Sequence, residues 1–179
     1  MKDLLEHSFY RRWSQGSLTV EELQDYATQY AHVVRAIPRW LDEVDPEHAG
    51  EEREHIAMWE EFGRALGVSQ AAMRGTPANA ATAALIAAGD DMAAQGHGAD
   101  VVWPIEEQSP RVSLEKLRGL REHYPAIAAA GSRYFKVHAT LDIAHAASLH
   151  PLVEDLDISE SVIDGMWELL SSVEKPPQN

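Results

Sequence analysis

The sequence has 179 residues, which suits a single domain large enough to enclose a core and a small cavity. Its formal net charge of −14 at pH 7 argues against nucleic acid and anionic membranes as partners, because both are polyanions. The absence of cysteine excludes disulfides, a thiolate nucleophile and Cys-ligated metals. The charged N-terminal segment does not resemble a signal peptide, and no run approaches the ~18 apolar residues of a membrane span, so we expect a cytoplasmic protein.

Apolar residues recur at helical spacing throughout the chain, and no segment shows the alternation of a strand. Thr19 and Glu22 form a capping box, and Pro38 should kink the helix that follows without ending it. The sequence predicts an all-α single domain over residues 1–174, a bundle of about seven helices, with a disordered tail at 175–179. The predicted helical segments are 3–15, 20–41, 45–66, 77–95, 99–108, 111–124, 126–149 and a last one that Asp157 caps.

The segment 134–147 carries three candidate metal ligands in the pattern H-x-x-x-D-x-x-H, namely His138, Asp142 and His145. On one continuous helix these positions would lie within about 60° of one another, so the side chains would point to the same side. Apolar residues share that side, and buried titratable groups need a partner. Two imidazoles and a carboxylate suit iron, manganese or zinc. Hydrogen-bonded histidines on a half-exposed helix are the simpler interpretation.

A second helix offers further ligands around His55. Residues three, four and seven positions before it would share its side of the helix. The candidates at these spacings are Glu52, Glu51 and His48. Glu106 or Glu107, after an apolar run, would add a carboxylate from another helix, as in di-iron bundles. For any single Glu, a solvated acidic surface is the simpler interpretation.

With these residues the chain resembles the haem-oxygenase-like di-iron oxidases and oxygenases, a superfamily that also contains the TenA thiaminases and PqqC-type oxidases. The likeness rests on residues 138–145, on HIAMWEEFGRALGV at 55–68 and on EEQSP at 106–110, and it extends over essentially the whole chain. The first two helices and the segment 106–124 resemble the para-aminobenzoate-forming group of the chlamydial protein associating with death domains. The resemblance implies a seven-helix haem-oxygenase-like fold and an oxygen-activating di-iron site.

The resemblance also implies six metal ligands. Five of them match family positions directly: His55, Glu106, His138, Asp142 and His145. The family has a Glu seven residues before the matching histidine, where this chain has His48. We assign the sixth ligand to Glu51, which a three-residue deletion would bring into register, while Glu52 and His48 stay open as alternatives. The implied cofactors are two ferrous ions, with manganese as the other metal, and dioxygen as co-substrate.

Two further residues match the para-aminobenzoate-forming group. In that group a Tyr of the first helix is thought to supply the ring, and a Lys ten residues after the ligand Glu is implicated as the amino donor. Tyr10 and Lys116 occupy these positions, although a packing tyrosine and a surface lysine are the simpler interpretation. The resemblance therefore implies an iron-dependent oxidoreductase that acts on itself or on a small molecule, with para-aminobenzoate for folate synthesis as product. A homodimer is the assembly expected from the resemblance.

Three other functions compete with this one. A TenA-like hydrolase of thiamin fragments would use a cysteine nucleophile, which this chain lacks. A PqqC-like cofactor-free oxidase would leave the H-x-x-x-D-x-x-H residues without a role. A non-enzymatic helical interaction protein would need no metal and would fit the acidic surface and the amphipathic last helix.

Overall fold

The computed structural model describes residues 1–175, so most of the tail predicted at 175–179 lies outside the described residues. The described chain is all-α, as predicted, but its ten α-helices exceed the predicted seven. None of these helices is both long and apolar enough to cross a bilayer. Two 3-10 turns span Leu4–Glu6 and His150–Leu152, and the α-helices are α1 (Ser8–Ser14), α2 (Val20–Leu41), α3 (Pro46–Ala65), α4 (Gln70–Gly75), α5 (Ala80–Ala94), α6 (Gly98–His123), α7 (Pro125–Gly131), α8 (Arg133–His138), α9 (Leu141–Leu149) and α10 (Leu156–Val173).

The centre of the bundle is α2, which packs against α3, α5, α6 and α10. It begins at the predicted capping box, in which Thr19 Oγ1 accepts from the Glu22 N–H and the Glu22 carboxylate accepts from the Thr19 N–H. Its apolar stripe is buried and includes Tyr26 and Tyr30. As expected, the helix runs through Pro38 to Leu41.

The Glu22 carboxylate, at the start of α2, forms hydrogen bonds to residues near both ends of the described chain. Its carboxylate accepts from the Arg12 guanidinium at 2.6 and 2.9 Å and from the Lys175 backbone N–H at 2.9 Å. Burial would raise the pKa of this carboxyl, but the hydrogen bonds outweigh it and lower the pKa to about 2. The carboxylate therefore stays ionised in the first turn of α2.

The prediction of two helices at 99–108 and 111–124 is wrong, because α6 is continuous from Gly98 to His123. Pro110 has no N–H to donate to the carbonyl of Glu106, a defect that costs ~3 kcal/mol in an isolated helix. Contacts with α8, α9 and α10 hold α6 together along its length. As a result, Glu106 and Lys116 lie on one rigid element.

The prediction of one helix at 126–149 is also wrong, because the chain forms α7, α8 and α9 there. The first break follows Gly131, which lies so close to α3 that a Cβ would come within 2.8 Å of Ala65 Cβ. At the second break the Thr140 N–H bonds to the carbonyl of Val137, three residues back, and the helix starts again at Leu141. His138 therefore ends α8, while Asp142 and His145 lie on α9, so the continuous helical face assumed for them does not exist.

Candidate metal centre

Seven buried side chains of the types that can bind metals meet between α3, α6, α8 and α9. Each is at most 9% exposed, although no single helix supplies more than three of them. They are His48, Glu52 and His55 on α3, Glu106 on α6, His138 at the end of α8, and Asp142 and His145 on α9. The break between α8 and α9 therefore does not separate the three residues of the H-x-x-x-D-x-x-H motif.

The side chains from α3 share one side of that helix because their spacing is i, i+4 and i+7. The helix starts at Asp45, whose carboxylate accepts from the His48 N–H at 3.1 Å, and Pro46 follows in the first turn. The packing of α3 brings His48, Glu52 and His55 toward α6, α8 or α9. Arg53 and Glu54, which lie between Glu52 and His55 in the sequence, are exposed.

Two groups of candidate ligands share Glu52. In each group, one ligand atom per residue lies within 4.8 Å of the others. The first group comprises His48, Glu52, Glu106 and His145, and the second comprises Glu52, His55 and His138. Asp142 adjoins both groups, with Oδ1 2.8 Å from His138 Nδ1 and 4.0 Å from His145 Nδ1. The arrangement offers two adjacent cation positions with one carboxylate in common.

Six polar atoms of these groups lack hydrogen-bond partners within the described residues. Among the described residues, seven buried side-chain nitrogen and oxygen atoms make no hydrogen bond, and six of them belong to these two groups. They are His48 Nδ1 and Nε2, Glu52 Oε2, Glu106 Oε2, His138 Nε2 and His145 Nδ1. Unpaired buried polar atoms are rare and cost on the order of 1–3 kcal/mol each. A cluster of them facing one space is what divalent cations would satisfy, so the residues present fit a metal centre.

The electrostatics of the centre are those of crowded carboxylates. Burial and the nearby Asp142 and Glu52 raise the pKa of Glu106 well above its usual value. Burial also opposes ionisation of Glu52, but its hydrogen bond with His55, Glu52 Oε1 to His55 Nδ1 at 2.9 Å, lowers the pKa of Glu52 overall. A bound cation would replace the protons that otherwise relieve this repulsion.

Glu51, the sixth ligand preferred from the sequence, belongs to neither group. Its side chain is 47% exposed, and it reaches the centre only at the rim, where Oε2 lies 3.1 Å from His145 Nε2. Glu52 is 1% exposed and belongs to both groups. Helical spacing could not separate the two, because positions three and four residues before His55 lie on the same side of a helix.

Two other histidines, His7 and His32, form hydrogen bonds outside the centre. His7 Nε2 lies 3.0 Å from Ser171 Oγ, and His32 Nε2 lies 3.0 Å from the carbonyl of Thr76. Glu107, considered beside Glu106, is exposed. The sequence prediction that one carboxylate of this pair faces inward therefore applies to Glu106.

Lys116 lies in a separate chamber lined by aromatic rings. Its Nζ donates to the Tyr26 hydroxyl at 2.5 Å, and the side chain is only 4% exposed. Burial without a carboxylate lowers the pKa of Lys116 from 10.5 to about 7. The ring centroids around Nζ lie at 4.9 Å for Tyr26, 5.1 Å for Phe135, 5.3 Å for Tyr10, 5.4 Å for Tyr30 and 6.0 Å for Trp59.

This aromatic chamber adjoins the metal centre. A cavity of about 20 Å³ is lined by Tyr10, Tyr30, Lys116 and Tyr134, among others. The ring of Tyr134 also packs on His138, with centroids 4.0 Å apart. Tyr10 and Lys116, predicted from the sequence to act together, therefore share one chamber, which one aromatic ring connects to the candidate ligands.

Comparisons with known proteins identify a family and relatives for this chain. A family model described as "Iron-containing redox enzyme" matches residues 40–173. A protein of Chlamydia pneumoniae named 4-aminobenzoate synthase is 31% identical, over 94% of this chain and 88% of its own length. Proteins of the same name from Chlamydia trachomatis and Nitrosomonas europaea are 32% and 27% identical, each over 96% of this chain and over 84% and 86% of their own lengths.

Solved structures confirm the fold. A TenA homologue from P. horikoshii OT3 superimposes with a TM-score of 0.74 at 13% identity, over 94% of this chain and 90% of its own. A domain with a heme oxygenase-like fold from Shewanella denitrificans OS217 gives 0.67 at 17% identity, over 95% and 84% of the two chains. At these identities the likeness concerns the fold alone. The family model and the relatives of 31% and 32% identity show that the chain belongs to the haem-oxygenase-like family of iron-containing redox enzymes, and it is an iron oxidoreductase.

Proposed function

We propose that this protein makes 4-aminobenzoate from its own side chains, with Tyr10 as the source of the ring and Lys116 as the source of the amino nitrogen. The observation that carries the proposal is the size of the chamber that these two residues share. The relatives named 4-aminobenzoate synthase support the identity of the product. The alternative of a cofactor-free oxidase gains nothing from the unpaired ligand atoms of the metal centre.

The chamber has no room for an external aromatic substrate. Its cavity of about 20 Å³ holds a single water molecule, whereas a benzene-sized guest needs on the order of 150 Å³. Tyr10 is 2% exposed, and its ring is already 5.3 Å from Lys116 Nζ. An aromatic ring is therefore in place beside the amine without any substrate binding.

The environment of Lys116 favours a reactive amine. A free lysine is almost fully protonated at pH 7, but the lowered pKa of about 7 leaves a substantial neutral fraction, which has the lone pair needed to form a C–N bond. The contact with the Tyr26 hydroxyl holds Nζ among the rings. The chamber thus supplies position and the correct protonation state together.

Oxidation of the ring fragment needs the metal centre. Conversion of a tyrosine side chain to 4-aminobenzoate breaks the Cα–Cβ bond, which leaves a glycyl residue in the main chain, and oxidises Cβ to a carboxyl group. The phenolic oxygen leaves as water, the lysine nitrogen takes its place on the ring, and the broken Nζ–Cε bond leaves Cε as an aldehyde. The net change removes six electrons, and dioxygen, reduced to water, is the oxidant that we propose. Two iron ions, when bound, supply dioxygen activation. The residues that would hold them are Glu52, in place of Glu51, with His55, Glu106, His138, Asp142 and His145.

Isotope labelling tests the proposal directly. Protein made with ring-labelled tyrosine is loaded anaerobically with Fe²⁺, exposed to oxygen and a reductant, and its small-molecule products are analysed by mass spectrometry. We expect labelled 4-aminobenzoate at no more than one molecule per chain. Tyr10→Phe should yield none, with unchanged iron binding, because Tyr10 is not among the candidate ligands.

Tyr124→Phe is the matched control. Tyr124 donates its hydroxyl to the Leu18 carbonyl at 2.9 Å and does not line the chamber, so this variant should keep forming product. Unlabelled 4-aminobenzoate, or product from Tyr10→Phe at the parent level, would point to an external substrate and refute the use of Tyr10.

A further inference from the structure

His48 lies seven residues before His55, at the position where the resemblance to the para-aminobenzoate-forming group implies a Glu. It lies in the first turn of α3, its side chain is 3% exposed, and it shares the inner side of the helix with Glu52 and His55. Neither of its ring nitrogens makes a hydrogen bond. A buried imidazole with two unpaired nitrogens has no structural reason to point into a polar space.

The neighbours of His48 are themselves candidate ligands. His48 Nε2 lies 2.8 Å from Glu106 Oε1 without hydrogen-bond geometry, and the ring centroid lies 3.7 Å from that of His145. Two imidazoles at this separation, each with an unpaired nitrogen, have a favourable arrangement when both nitrogens face one cation.

We infer that His48 is a seventh metal ligand, which makes the two metal positions chemically unequal. One position takes His48, His145 and Glu106, the other takes His55, His138 and Asp142, and Glu52 is common to both. This inference rests on the metal centre of the proposed function. It goes further by assigning a ligand that the family pattern does not provide and by predicting which metal each ligand set prefers.

The substitution of imidazole for carboxylate changes the charge and softness of the first position. The three carboxylates carry −3 against +4 from two divalent ions, so the loaded centre keeps a charge of +1, whereas a Glu at position 48 would make it neutral. Carboxylates suit Mn²⁺, and imidazole suits Fe²⁺ better than Mn²⁺. His48 therefore makes the first position more selective for Fe²⁺ over Mn²⁺ than a Glu at position 48 would.

Metal binding, measured without turnover, tests this assignment. The parent, His48→Gln and His48→Glu are titrated anaerobically with Co²⁺, whose visible absorption reports its ligands, and the number of ions per chain is counted. We expect two ions in the parent and a loss of affinity of about 10- to 100-fold for one of them in His48→Gln, on the scale of disturbed metal-site residues. After equilibration with equal Fe²⁺ and Mn²⁺, elemental analysis should show a several-fold higher Mn:Fe ratio in His48→Glu than in the parent.

His7→Gln is the matched control, because His7 is as buried as His48 but bonds to Ser171 outside the centre. It should bind Co²⁺ as the parent does. Suppose that the parent binds two ions, that His48→Gln binds Co²⁺ with the affinity and spectrum of the parent, and that His48→Glu shows the Mn:Fe ratio of the parent. His48 is then not a ligand, although the metal centre exists. If the parent binds no ions, the metal centre and this inference both fail. If His48→Gln does not fold, the metal ratio of His48→Glu decides.

Discussion

Replacement of Lys116 by methionine should stabilise the protein, and by an amount that depends on pH. The pKa of Lys116 falls from 10.5 in a free side chain to about 7 in the fold, which corresponds to about 5 kcal/mol at 1.36 kcal/mol per pKa unit. Between these two values the unfolded chain binds a proton that the folded chain does not, so folding stability rises with pH. Below pH 7 the folded protein bears the full cost of the buried ammonium.

Lys116→Met removes that cost and keeps a side chain of similar length. The free energy of unfolding of the metal-free variant should exceed that of the parent by about 5 kcal/mol at pH 6 and by about 2 kcal/mol at pH 9. Differences in packing cancel when the two pH values are compared, so the change of about 3 kcal/mol is the quantity to test. Urea unfolding followed by far-ultraviolet circular dichroism at both pH values measures it.

Lys136→Met is the control, since Lys136 is exposed and should change stability by less than about 0.5 kcal/mol at either pH. A parent-to-variant difference for Lys116→Met that stays constant between pH 6 and pH 9 would refute the reasoning. It would mean that the amine does not titrate in a dry chamber, and the proposed role of a neutral Lys116 would lose its basis.

Three other predictions concern stability. Glu22→Gln should lower the free energy of unfolding by about 2–4 kcal/mol at pH 6, because it leaves Arg12 without its carboxylate. The ionised carboxylate contributes this stability above pH 4.5 and loses it as the pH falls toward 2, so the effect of the substitution should be about half as large at pH 3. Gly119→Ala, whose Cβ would lie 2.5 Å from Trp13 Cδ1, should cost about 1–3 kcal/mol in thermal unfolding; an unchanged melting temperature would contradict the packing described. Fe²⁺ at 100 times its dissociation constant should stabilise the protein by about 2.7 kcal/mol, reversibly with a chelator, whereas no change in melting temperature would argue against the metal centre.

The parts of the fold that local rules control were predictable. The capping box at Thr19 and the cap and proline at Asp45 gave the starts of α2 and α3 within a residue, because these signals act on the first turn alone. Pro110 led to the wrong prediction of a helix boundary within α6, because the contacts that hold α6 together come from helices remote in sequence. The break after Gly131 was not predictable for the same reason, since Gly131 lies against Ala65 of α3, which is remote in sequence.

The site was predictable in composition and less so in detail. The spacing of His138, Asp142 and His145 pointed to three side chains that do meet in the candidate centre, although the reason given, one continuous helix, was wrong. The choice between Glu51 and Glu52 depends on the rotation of α3 about its axis, which its packing sets and its own sequence does not. Glu51 and Glu52 are adjacent in sequence, yet Glu51 lies at the rim of the centre while Glu52 belongs to both ligand groups.

The division of residues 125–149 into three short helices has a consequence for how the chain closes around metal. Helices of 6 to 9 residues hold their shape poorly alone, since about 12–15 residues are needed for even marginal stability in water. The candidate ligands on α3 and α6 belong to helices of 20 and 26 residues, which do not need metal to keep their shape. Bound ions would act as cross-links between the short helices and the long ones. Amide hydrogens of α8 and α9 should therefore exchange with solvent more slowly in the metal-loaded protein than in the metal-free protein, whereas the exchange rates of those in α2 should change little.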